Sequence, residues 1–178
     1  APADNDIWVR SAWTTNGLHN LKHRVLKQQV TKLPDGSVEL FFIVRSQAPY
    51  GATLTMHKAS GKYELTEDKA HPFGENDFAI TSQAIWRVYP DGSIQLRSNL
   101  TTNKPALPLG RLGYEFVLPR AYDNYTYYGR GPINTYGDRK ASQYIEQNKS
   151  KVAEQFVSFP KPQTMANRED VRWVSLTN

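Results

Sequence analysis

The sequence predicts an all-β sandwich, and two observations carry that prediction. Roughly ten short apolar or alternating runs are separated by turn residues every 8–12 positions, the spacing of a sandwich built from short strands. One turn signature, Pro-Asp-Gly-Ser, stands twice between apolar runs, at Pro34–Ser37 and Pro90–Ser93. In each, proline presets φ and glycine accepts positive φ, so each predicts a hairpin. The 178 residues suffice for a buried core, and we expect a single domain over residues 1–178.

Taken in order, Pro2 to Asp6 reads as irregular chain, because Asp and Asn side chains bond their own backbone. Asp4-Asn5-Asp6 fails as an EF-hand loop. With Asp4 first, Trp8, Val9 and Thr15 stand fifth, sixth and twelfth, where an oxygen ligand, Gly and Glu are needed. Ile7 to Asn16 predicts a short helix stopped by Gly17. Trp8 and Trp13 are five apart and do not share a helical face well. One is expected to pack inward and the other to face a partner or ligand, although a half-buried packing indole is the commoner outcome. His19 and His23 would share a face if helical, but no third zinc ligand is evident and a strand-like run follows.

Leu21–Thr31 and Val38–Val44 predict the arms of the first hairpin, and Ala84–Val88 and Ile94–Leu100 those of the second. Between them, Thr53–Lys58 and Lys62–Leu65 read as strands around Ser60-Gly61, and Thr66–Asn76 as a polar loop. Asn103–Leu109, with two prolines, is a connection. Arg111–Leu118 alternates, placing Leu112, Tyr114, Phe116 and Leu118 on one strand face. Tyr122–Tyr128 is a second aromatic strand. Asp138–Gln147 suggests a short helix, Val152–Phe159 a buried run ended by Pro160 and Pro162, and Asp170–Leu176 a last strand.

Composition narrows the chemistry. With no cysteine, disulfides and thiol catalysis are excluded. The net charge of +5 is spread over single basic residues, so no nucleic-acid partner is expected. No run of about 18 apolar residues predicts a transmembrane helix, and we expect no membrane partner. The polar first residues do not read as a signal peptide, and the missing initiating Met suggests a processed product or an excised piece.

The least random stretch is Tyr127-Tyr128-Gly129-Arg130-Gly131-Pro132, followed by Tyr136-Gly137-Asp138-Arg139-Lys140. Two glycines around an arginine, closed by proline, predict that the strand ends at Gly129 in a tight loop, the glycines taking backbone angles that other residues resist. Arg130, Tyr136, Asp138 and Arg139 on one loop form either a polar lock between layers or part of a polar-ligand site. The lock is favoured, since most Arg–Asp pairs in such loops are structural.

These residues stand in a longer series. Leu107-Pro108-Leu109-Gly110-Arg111-Leu112-Gly113 precedes them; Pro162-Gln163, Asn167-Arg168 and Asp170-Val171-Arg172-Trp173 follow; Ala1-Pro2-Ala3-Asp4-Asn5-Asp6 stands in front. In order and rough spacing the chain resembles, over nearly its whole length, the C-terminal small-chain domain (domain 5) of glycoside hydrolase family 2 β-galactosidases. The resemblance implies a galactose mutarotase-like β-supersandwich. The family's domain continues beyond the strand matched by Arg172-Trp173, so we expect an incomplete sandwich with an open face, or one that pairs copies through an exposed sheet edge.

The resemblance also implies a division of labour. Glycoside hydrolysis needs two carboxyl groups. Asp4, Asp6, Glu115, Asp138, Glu169 and Asp170 are nominal candidates, yet none is singled out by its context. In the family the catalytic glutamates lie in a TIM barrel upstream, which becomes the expected partner, so no catalytic residue is expected here and the chain alone should be inactive. Asp4, Asn5, Asp6 and Trp8 are the expected substrate-side residues, because the family's Asp-Asn-Asp loop lies near the active-site mouth. Arg111, Arg130, Tyr136, Asp138, Arg139, Gln163, Arg168 and Trp173 are expected to be architectural, with guanidiniums suited to bidentate carboxylate pairing. No cofactor or metal is expected in this chain; parent enzymes of the family use Mg or Na in other domains.

Two loops depart from the family pattern. Gly131-Pro132-Ile133-Asn134 replaces a Gly-Pro-His-Glu run, and Thr164-Met165-Ala166 replaces Glu-Asn-Gly after Pro162-Gln163. We expect these loops to face each other, with an apolar contact between Ile133 and Met165. The departures leave open whether the sugar is a β-galactoside or another β-glycoside. Two other functions compete: a stand-alone carbohydrate-binding module, and a mutarotase-like epimerase. No His lies after Arg111 to serve the acid–base chemistry of the latter.

Overall fold

A computed structural model describes residues 6–160 and 164–178 of the chain. They form one helix and nine strands: α1 Ile7–Thr15, β1 Lys22–Lys32, β2 Val38–Gln47, β3 Tyr50–His57, β4 Lys62–Pro72, β5 Ile80–Val88, β6 Ile94–Thr102, β7 Asn124–Gly131, β8 Tyr144–Lys151 and β9 Trp173–Thr177. Every strand pairing is antiparallel. The all-β class, with the architecture of antiparallel sheets that a sandwich requires, is therefore established. The chain forms two compact units, one ending at Gly110 and the other beginning at Arg111.

In the first unit a four-stranded sheet has the order β1-β2-β5-β6, and β3-β4 forms a separate hairpin. Both expected Pro-Asp-Gly-Ser hairpins are present. Gly36 and Gly92 take φ of 82° and 85°, the left-handed angles this turn demands. Asp35 Oδ1 accepts from Ser37 N and Oγ, and Asp91 Oδ1 accepts from Ser93 N and Oγ, so each turn is tied from within. The β2–β5 register sets Val38 opposite Val88, which brings both turns to one end of the sheet. Arg87 then donates from Nη2 to Asp35 Oδ2 at 2.6 Å and from Nε to Ser37 Oγ at 2.9 Å. The core of this unit contains Val9, Ala48, Ala52, Phe78, Ala79, Ile80 and Ala84. Small residues dominate it because α1 lies close on the chain around β3. A Cβ on Gly51 would fall 2.2 Å from Thr15 O.

The helix appears where expected, and Gly17 stops it with φ of 72°. Thr66–Asn76 is a correction: it is not a loop at its start, because β4 continues through Pro72. Pairing with β3 explains this, since Thr66 and Glu67 lie opposite Thr53 and Ala52. A hydrogen-bonded partner overrides polar composition on an exposed strand. His19 lies in a 3₁₀ turn, Leu18–Asn20, and His23 in β1, so they share no helix face. Among the described residues no group of three His, Cys, Asp or Glu side chains could hold a metal ion, and no helix is long and apolar enough to cross a membrane.

In the second unit a three-stranded sheet has the order β8-β7-β9. Four expectations are corrected here. Arg111–Leu118 is not a strand, and its alternating side chains are all exposed, Phe116 by 67%. Alternation places side chains on one face but does not by itself build a strand ladder. Asp138–Gln147 is not helical; it holds turns and the start of β8, whose Tyr144 pairs with Gly131. Val152–Phe159 is not a buried run: a 3₁₀ turn at Val152–Gln155 leads into extended chain, and Val152, Phe156 and Val157 are exposed. Lastly, β7 does not end at Gly129 but runs to Gly131, with a cis peptide bond before Pro132.

Candidate functional site

The glycines of β7 are required by space, not by backbone angle. Neither has positive φ. A Cβ on Gly131 would lie 2.1 Å from Tyr127 Oη and 2.8 Å from Asn148 Nδ2; one on Gly129 would lie 2.9 Å from Val171 Cα. The bare Gly129 lets the segment before β9 run hard against the end of β7, while Gly131 makes room for the Tyr127 and Asn148 side chains of its own sheet. Arg130 N donates to Glu169 O, and Arg172 N to Tyr128 O. Asp170 accommodates this path with φ of 55° and Ala166 with 59°.

This close approach assembles the lock. Arg130 Nε donates to Asp170 Oδ2 at 2.7 Å, and its Nη1 donates to Gln143 O at 2.7 Å. Arg130 thus ties three separate chain segments. Its bond to Asp170, with help from its charge and those of Lys140 and Arg172, holds that carboxyl below its ordinary range. Lys140 Nζ reaches Glu169 Oε2 at 3.1 Å. Beside this pair, Thr135 is fully buried: its N donates to Asn167 O, its O accepts from Asn167 Nδ2, and its Oγ1 accepts from Glu169 N. Tyr136 Oη donates to Thr164 O. Residues bordering the two departing loops are thus joined, Thr135 to Asn167 and Tyr136 to Thr164, but by polar bonds and not by the expected apolar contact, and Ile133 and Met165 are both exposed.

The structure unites some of the expected residues and separates others. Arg130, Tyr136, Arg139 and Arg168 belong to this region. Arg139 Nη2 donates to Asn134 Oδ1 at 2.8 Å, and Arg168 Nη2 donates to Gln155 Oε1 at 2.6 Å. Trp173 opens β9 and stacks on Tyr128, centroids 6.4 Å apart. Arg111 and Asp138 are exposed and, among the described residues, join none of these bonds. The carboxylate partner of Arg130 is thus Asp170, not Asp138, because the chain crossing β7 delivers Asp170 at the guanidinium. Gln163, Asp4 and Asn5 lie outside the described residues. Asp6 is half-buried before α1, and Trp8 is 77% exposed, whereas Trp13 donates from its indole to Pro108 O at 2.6 Å. The two indoles divide as expected, Trp13 packing and Trp8 outward.

Sequence reasoning missed Asn134, Thr135 and Asn148 as buried polar residues. Asn134 and Asn148 border a cavity of about 480 Å³ whose lining includes Tyr127, Phe159, Arg139 and Arg168. Asn134 Nδ2 and Arg168 Nε are buried there without hydrogen-bond partners among the described residues. For Asn134 a signal was present in the sequence: it follows Gly131-Pro132-Ile133, a small and apolar run in which a polar side chain needs a partner.

Comparison with known proteins defines the class: residues 1–178 match the family model for the β-galactosidase small chain. The chain belongs to the β-galactosidase small-chain family. A β-galactosidase of Staphylococcus xylosus is 21% identical over 178 residues, covering all of this chain and 15% of the relative. One of Psychromonas ingrahamii is 26% identical, covering 97% of this chain and 15% of the relative. One of Priestia megaterium is 33% identical over 93 residues, 52% of this chain and 9% of the relative. The chain thus spans a small fraction of the length of the curated relatives it matches.

Proposed function

We propose that this chain is a non-catalytic domain of a family 2 β-galactosidase that scaffolds the enzyme and helps to wall its active site for hydrolysis of terminal β-D-galactose residues. The observation that carries this reading is the whole-chain match to the small-chain family, combined with coverage of 9–15% of the relatives just described. The catalytic carboxyl pair then belongs to a barrel partner. In support, Glu169 and Asp170 are engaged with Lys140 and Arg130, and Asp138 and Glu115 are exposed. Such engagement suits a lock and not a nucleophile with an acid across a sugar ring. The exposed Trp8 suits the substrate side, where an indole stacks on the apolar face of a sugar.

The test is kinetic. The intact native polypeptide is expected to hydrolyse a chromogenic β-galactoside, and residues 1–178 alone are expected to be inert. In the intact enzyme Trp8→Ala should raise KM about two- to tenfold, the worth of one aromatic contact, with Tm unchanged. Hydrolysis by residues 1–178 alone would overturn the non-catalytic assignment. A Trp8→Ala enzyme with wild-type KM would remove Trp8 from the wall.

A further inference from the structure

We propose that the cavity beside β7 and β8 binds a hydroxylated carboxylate, a sugar acid of the uronic type. The proposal stands on this chain's own geometry and does not rest on the glycosidase reading. Asn134 is 6% exposed, and its Oδ1 is occupied by Arg139, which leaves Nδ2 buried with no acceptor among the described residues. Arg168 spends Nη1 on Asn167 O and Nη2 on Gln155 Oε1, and its Nε is likewise buried and unmatched. Leaving a buried donor unpaired is costly, because the group gives up water without gaining an acceptor. Two such donors, on residues lining one cavity, call for a ligand rich in acceptor oxygens.

Charge decides what kind. Arg139, Lys149 and Arg168 line the cavity against a single acid, Glu154, whose Oε2 already accepts from Lys151 N. The excess is positive, so an anion is favoured over a neutral sugar. The guanidiniums are held in place by aromatic faces: Arg168 lies 5.4 Å from the Tyr127 ring centroid and Arg139 5.9 Å from that of Phe159. A planar donor fork fixed on a ring is organised for a planar carboxylate before the ligand arrives. The hydroxyl groups find Ser142 and Gln143 on the same wall. The volume of about 480 Å³ admits a monosaccharide with its first waters.

The experiment is a calorimetric titration of the intact native polypeptide with galacturonate, in saturating galactose so that any galactose-selective site is filled. One galacturonate should bind per chain, and acetate alone should bind at least tenfold more weakly. Asn134→Asp places a carboxylate against the guanidiniums and should weaken galacturonate at least tenfold. Arg168→Lys, which deletes the unmatched Nε, should do the same, with Tm showing that both variants fold. No galacturonate binding, or wild-type binding by both variants, would overturn the proposal. So would complete displacement of galacturonate by galactose. Because the readout is heat and not hydrolysis, loss of the β-galactosidase reading would leave this result interpretable.

Discussion

At the residue scale, spatial exclusion and charge pairing govern different positions. Gly131 is fixed by the Tyr127 hydroxyl 2.1 Å from where a Cβ would stand. Gly131→Ala should therefore destabilise by about 1–3 kcal/mol, as overpacking does, readable as a fall in the denaturation midpoint. Tyr127 is 1% exposed beneath Arg168, and Tyr127→Ala should cost about 3–5 kcal/mol, as truncation of a large buried aromatic does. Asp35 is held down to about 2, first by the Ser37 hydroxyl, then by the Ser37 N–H and by Arg87. Its folded value lies below its ordinary 3.8, so its contribution is full above pH 3.8 and is lost as pH falls towards 2. Asp35→Asn should remove that part of the acid limb in a plot of Tm against pH, and an unchanged limb would exclude Asp35 as its source. Asp170 shifts in the same direction because Arg130 bonds it. Asp170→Asn should lower Tm at neutral pH and leave Tm less sensitive to acid.

At the element scale, strands were legible where a turn closed them and illegible where a distant partner made them. The twin hairpins β1–β2 and β5–β6 follow from Pro-Asp-Gly-Ser, since the turn sets register without help from the rest of the chain. Gly36, with φ of 82°, tests this: Gly36→Ala should destabilise by about 1–2 kcal/mol through left-handed strain alone. The extension of β4 through Pro72 and the start of β8 at Tyr144 depend on partners at β3 and β7, which no local pattern announces. Arg111–Leu118 shows the converse. Leu112, Tyr114, Phe116 and Leu118 alternate faultlessly, yet no strand forms, because a strand is defined by what bonds its backbone.

At the scale of the whole molecule, the sequence by itself determined the all-β class, the short helix ended by Gly17, both Pro-Asp-Gly-Ser hairpins and the small-chain family. Each of these rests on local chemistry: a proline φ, a glycine angle, or a string of motifs in fixed order. Part of the site was legible in the same way, since Arg130, Tyr136, Arg139 and Arg168 were singled out by the company they keep. Only the tertiary structure decided that Arg130 pairs with Asp170, 40 positions away, and not with Asp138 on its own loop. It alone decided that Asn134 and Arg168 leave donors unmatched beside a cavity. The reason is that an ion pair or an orphaned donor depends on where a second segment crosses the first. Here that crossing runs where Gly129 clears the surface of β7, and a sequence encodes the clearing without showing what comes to lie in it.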